Sequence, residues 1–113
     1  MIMIGTMMFS AECAMAVAEN FGKISAVPDF MKLIGPYIRS NIESGISTIS
    51  IYEFDDARGD AAIDYLNKRY ATFEKIDGVS AHIEEWLGID MVMQLLDETQ
   101  SVTAALEAVS FRI

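Results

Sequence analysis

The chain is poor in the residues that build metal centres and disulfides. Among its 113 residues there is one cysteine, Cys13, and one histidine, His82. A single cysteine cannot close a disulfide within the chain or supply a multi-cysteine zinc site, and a single histidine excludes a His-rich metal cluster. No metal and no cofactor are expected, and a lone thiol fits the reducing cytoplasm. Positive charge is scarce as well: eight Lys and Arg stand against 17 Asp and Glu, a net charge of −9. A surface of that sign repels phosphate backbones, so nucleic acid is not an expected partner. The apolar opening, Met1–Phe9, is too short to span a bilayer and no basic residue comes before Lys23. It reads as a buried strand and not as a leader, and no membrane partner is expected. The seven glycines are scattered singly, so no glycine-rich phosphate loop is present.

What the chain does have is apolar surface to bury: 52% of its residues are hydrophobic and 22% charged. A chain of this length folds as one domain that buries roughly two-thirds of its unfolded surface. The expected domain covers residues 1–98, with 99–113 as an amphipathic helical extension containing Val102, Ala105, Leu106 and Val109 behind a capping Ser101.

Met1–Ser10 is apolar at successive positions, the pattern of a central strand covered on both sides. Ser10 is placed to cap a helix carrying Ala14, Met15, Ala18 and Phe21, and Gly22 to end it. In residues 26–42, Phe30, Leu33, Ile34, Tyr37 and Ile38 repeat with helical spacing, but Gly35-Pro36 breaks the repeat. A short helical turn near Pro28–Leu33 is expected there, then an edge strand from about Tyr37. Asn41–Gly45 reads as a hairpin loop, and Ile46–Phe54 as a strand with Ile49 and Ile51 on one face and Ile46, Thr48, Ser50, Tyr52 and Phe54 on the other. Asp55 or Asp56 caps a second helix to about Phe73, with Ile63, Leu66, Tyr70 and Phe73 as its buried stripe. After the Asp77-Gly78 turn, a final strand to Leu87 alternates Val79, Ala81 and Ile83 against Ser80, His82, Glu84 and Trp86. Asp90 is placed to cap a helix to about Leu96.

This order, β-α-β-β-α-β followed by helices, is an α+β class fold. Right-handed crossovers put both main helices on one face of an antiparallel sheet, the ferredoxin-like arrangement with spatial order 4-1-3-2. The other face would then carry Ile46, Tyr52, Phe54, Trp86 and one row of the first strand, an apolar patch that calls for a cover, most simply a second copy of the chain. With Gly35-Pro36-Tyr37, Ile51-Tyr52-Glu53-Phe54 and Ile83-Glu84-Glu85-Trp86-Leu87 in place, residues 1–98 resemble the dimeric α+β-barrel superfamily. The resemblance implies a homodimer whose two sheets pair into one barrel. Its members include cofactor-free monooxygenases, muconolactone-isomerase-like enzymes and haem-binding proteins.

Three functional expectations follow. One is a cytoplasmic homodimer that binds a small, partly apolar molecule in or beside the barrel, with Tyr37, Arg39, Tyr52 and Trp86 lining the site. Arg39 would anchor an anionic ligand through its planar fork. Another is a cofactor-free enzyme of the monooxygenase or isomerase kind, with His82 as base, Glu84 two residues on as its orienting partner, and Trp86 as a wall. The third is a structural or regulatory module that binds another protein. Cys13, in the first turn of a helix, reads as structural, and of the eight methionines Met7, Met8, Met15, Met91 and Met93 read as core filler.

Overall fold

A computed structural model describes residues 1–99, so the amphipathic extension expected over 99–113 lies, from residue 100 on, outside the described residues. The chain runs β1 (Ile2–Phe9), α1 (Ala14–Lys23), β2 (Met31–Asn41), β3 (Gly45–Phe54), α2 (Gly59–Glu74), β4 (Ser80–Trp86) and α3 (Ile89–Thr99), with 3-10 turns leading into α1 and α2. The result is an α+β fold with one four-stranded sheet in the order β2-β3-β1-β4, every pairing antiparallel. β1 and β3 are therefore interior, and β2 and β4 are edges.

Strand alternation sorts each strand into two faces, and the helices choose one of them. Met3, Met7 and Phe9 of β1, Thr48, Ser50, Tyr52 and Phe54 of β3, Met31 of β2 and Ala81 of β4 are buried beneath the helices. From α2 the buried stripe is Ala62, Leu66, Tyr70 and Phe73, with Ile63 packed at its margin. Phe21 of α1 meets Phe73 with ring centroids 4.7 Å apart. Asn20 donates to the Thr72 hydroxyl at 2.8 Å, tying α1 to α2.

Gly5 is where α2 comes closest to the sheet. A Cβ at that position would lie 1.8 Å from the Tyr70 hydroxyl, so only glycine admits the ring. The space is used for a buried hydrogen bond between Tyr70 and Tyr52, 2.9 Å between hydroxyls. Burial pushes the Tyr70 phenol far above its ordinary value, and the neighbouring Tyr52 hydroxyl adds to the rise.

Three local expectations are corrected. The turn expected near Pro28–Leu33 is a single one, closed by the Met31 N–H on the Pro28 carbonyl at 3.0 Å, and the chain is already in β2 from Met31. The register steps from Ile34↔Ile51 to Tyr37↔Ile49, so β2 holds one residue more than β3 across that interval, a bulge centred on Gly35 and Pro36. Gly35 takes φ +97 there, and proline is tolerated because the strand is an edge and the ladder is already interrupted. The bulge also explains the misleading spacing: it separates Leu33 and Ile34 from Tyr37 and Ile38 by a helical interval. The first helix runs one residue past Gly22, to Lys23, and Ser10 makes no capping bond through its side chain. Asp55, in contrast, caps as expected, accepting from the Ala57 backbone N–H at 3.2 Å.

The hairpin between β2 and β3 closes with Asn41 Oδ1 accepting from the Glu43 N–H at 2.8 Å and Gly45 at φ +84. A Cβ on Gly45 would also meet the Phe9 carbonyl at 2.6 Å.

Candidate functional site

The sheet face opposite α1 and α2 is the candidate site. Directly paired residues on antiparallel strands point to the same side, so the register lists what stands side by side on it. Four rows cross the face from β2 to β4: Lys32, Glu53, Ile2, Trp86; Ile34, Ile51, Ile4, Glu84; Tyr37, Ile49, Thr6, His82; and Arg39, Ser47, Met8, Ser80. Its centre is aliphatic and its edges carry the polar and aromatic groups. Met8 is 53% exposed, Tyr37 58%, Ile49 40% and Trp86 46%, exposures that large apolar side chains keep only where no part of the described chain covers them.

Five of the six residues singled out from the sequence share this face: Tyr37, Arg39, His82, Glu84 and Trp86. Tyr52 does not. It is 1% exposed and turned into the helix layer against Tyr70, and Phe54 and Ile46 point the same way. The alternation along β3 is as expected, but the side expected to be open is the buried one. The reason is Gly5 in the neighbouring strand: its missing side chain leaves room beneath α2 for the Tyr70 hydroxyl, and Tyr52 turns to that side to bond it.

The five are not gathered at one point. Tyr37 and His82 end the same row on opposite edges, three strand spacings or about 14 Å apart. They form two groups, one on β2 and one on β4. On β4, the His82 Nε2 bonds the Ser80 hydroxyl at 3.1 Å. Ser80, and not Glu84, is thus the side chain that bonds the imidazole. Ser80 and Glu84 are both two residues from His82 on one strand face, and spacing alone does not distinguish them.

On β2, the face dips into an open groove of about 480 Å³. Thr6, Met8, Tyr37, Arg39, Ser47 and Ile49 supply its side chains from the open face. Met8, expected as core filler, is instead exposed on this face, as Met15, Met91 and Met93 are exposed elsewhere; the register of β2 against β3 sets Ser47 beside Arg39, and that of β1 against β3 adds Thr6 and Met8. The Arg39 guanidinium makes no hydrogen bond or ion pair with another described residue, whereas Arg58 lies over the Phe30 ring at 4.0 Å, Arg69 donates to the Tyr65 hydroxyl at 3.0 Å and Lys68 pairs with Asp64 at 2.9 Å. A second hollow of about 380 Å³ lies beyond Trp86, between Ile2 and the start of α3.

Cys13 is a free thiol whose Sγ donates to the Asp77 carbonyl at 3.2 Å, beside Gly78, where a Cβ would come within 2.9 Å of the sulfur. It serves to seat the turn before β4. Among the described residues, no three His, Cys, Asp or Glu side chains gather as metal ligands, and no helix is long and apolar enough to cross a membrane. No protein-family model matches the chain, and no curated protein sequence is significantly similar to it.

Proposed function

We propose that this protein is a ferredoxin-like protomer of the dimeric α+β-barrel kind, which pairs with a second copy through its open sheet face and holds a small, partly apolar molecule between or beside the sheets. One observation carries the reading. The open face presents Ile2, Ile4, Met8, Ile49, Ile51 and Trp86 together, a continuous apolar field and not scattered single residues. Four strands at about 4.8 Å and four rows at about 7 Å give roughly 500 Å² per copy before side-chain relief is counted, and two copies reach about 1,000 Å², the lower bound for a specific interface. A two-fold operation satisfies this patch with itself and closes the assembly. The polar margins, His82 with Ser80 on one edge and Tyr37 with Arg39 on the other, give an enclosed chamber the few fixed polar groups that orient a ligand. The single free cysteine and the acidic surface suit the cytoplasm, where we place it.

Light scattering at micromolar concentration tests the pairing. The expected particle has twice the 12.5 kDa mass of the chain. Ile4→Glu, which sets a charge at the centre of the open face of β1, should return it to a folded 12.5 kDa monomer with unchanged far-UV circular dichroism. A wild-type protein that runs at 12.5 kDa across the micromolar range overturns the proposal.

A further inference from the structure

We infer that the groove between β2 and β1 is a binding site for a small apolar monocarboxylate, with the carboxylate on Arg39 and the apolar body against Tyr37, Ile49 and Met8. This deepens the small-molecule half of the proposed function and takes from it that a ligand is bound at the open face. Electrostatics within the face select the ligand's charge. The open face carries two carboxylates, Glu53 and Glu84, and both stand in the two rows nearest Trp86. The rows of Tyr37 and Arg39 contain none, and the next acid along the hairpin, Glu43, is in the turn and outside the groove lining. The groove therefore lies in the acid-free half of the face, with one guanidinium at its margin that no described side chain engages.

A planar guanidinium fork fits a carboxylate with two parallel hydrogen bonds. One such group against a protein of net charge −9 matches a single negative charge better than the two of a phosphate ester. Nothing in the groove offers the converging backbone N–H groups of a phosphate cradle: its lining comes from the middle of β1, β2 and β3 and includes no helix end. The walls supply the remaining recognition. Tyr37 presents a flat ring, Met8 an adaptable thioether and Ile49 a rigid aliphatic surface, with Thr6 and Ser47 also in the lining. A volume of about 480 Å³ falls in the range of small-ligand pockets.

The test uses three probes of one size, 2-naphthoate, 2-naphthalenemethanol and 2-naphthyl phosphate, titrated calorimetrically into the full chain, with its mass followed in parallel by light scattering. Naphthoate should bind tightest. Arg39→Gln should weaken naphthoate about tenfold or more while leaving naphthalenemethanol unchanged, the loss expected of a charge-assisted hydrogen bond. Arg39→Lys should recover part of it, and naphthoate should shift the NMR signals of Thr6, Tyr37 and Ile49 before those of His82. The inference is overturned if naphthoate and the alcohol bind alike, if the phosphate binds tightest, if Arg39→Gln weakens both probes equally, or if no probe saturates. A dimer that binds no probe removes this site and leaves the pairing intact. A monomer that binds naphthoate through Arg39 does the reverse.

Discussion

The two faces of one sheet are built from the same four strands and yet make different use of apolar residues. The covered face is assembled from shapes that interlock: Met3, Met7, Phe9, Tyr52 and Phe54 against Leu66, Tyr70 and Phe73, with a glycine removed from the way of a phenol ring. The open face has a flatter field of isoleucines at 2, 4, 49 and 51, bordered by groups that carry charge or hydrogen bonds. The first is a solved packing problem within the chain. The second is apolar area without partners, and it can gain stability only from something outside the described residues. Hydrophobicity alone does not separate the two faces; the presence of complementary shapes on α2 does.

This contrast can be broken by measurement. The largest effects belong to the covered face. Leu66→Ala, at a fully buried position, should lower unfolding free energy by about 2–5 kcal/mol in denaturant titrations. Gly5→Ala should cost about 1–3 kcal/mol or more, because the added methyl occupies the space of the Tyr70 hydroxyl. A neutral Gly5→Ala would mean that Tyr70 lies elsewhere.

Tyr70→Phe should cost about 1–3 kcal/mol by leaving the Tyr52 hydroxyl buried without its partner. The double variant Tyr52→Phe/Tyr70→Phe should lose less than the sum of the two single changes. The pair also has a pH signature. The folded protein keeps the Tyr70 proton well above the value near 10 at which an unfolded chain releases it. Above about pH 10 the unfolded state therefore binds fewer protons than the folded one, and stability must fall as pH rises further, being fully present below that point. Tyr70→Phe should flatten this alkaline decline; an unchanged slope would assign it to other groups.

The smallest effect belongs to the open face. Ile51→Thr should change the stability of the isolated chain by less than about 1 kcal/mol at nanomolar concentration, and by more as concentration rises and copies associate. A loss as large as that of Leu66→Ala under dilute conditions would show that the face is already covered within one chain.

Much of this architecture could be read from residue order, because the informative signals are local. β1, β3, β4 and the Leu66, Tyr70, Phe73 stripe follow from periods of two and 3.6. β2 did not, since its extra residue imitates a helical interval. The sidedness of β3 did not either: alternation divides Tyr52 from Ile51 but says nothing of which one meets α2, a fact that depends on Gly5 some fifty residues earlier. The same holds for the candidate site. Period two places His82, Glu84 and Trp86 on one side of β4, and the sequence also marked Tyr37 and Arg39. Their division into two groups and the bond from His82 to Ser80 depend on cross-strand register and side-chain direction, neither of which is written locally.

The extra residue near Pro36 sets the identity of everything downstream of it on that edge. Delete it, and the far half of the strand rotates by one step: Ile38 would move to the side with the isoleucines, while the phenol and guanidinium at 37 and 39 would swing toward Thr48 and the layer of Met7 and Ala81. A single extra residue thus decides whether the Arg39 guanidinium looks outward from the groove or inward toward grease.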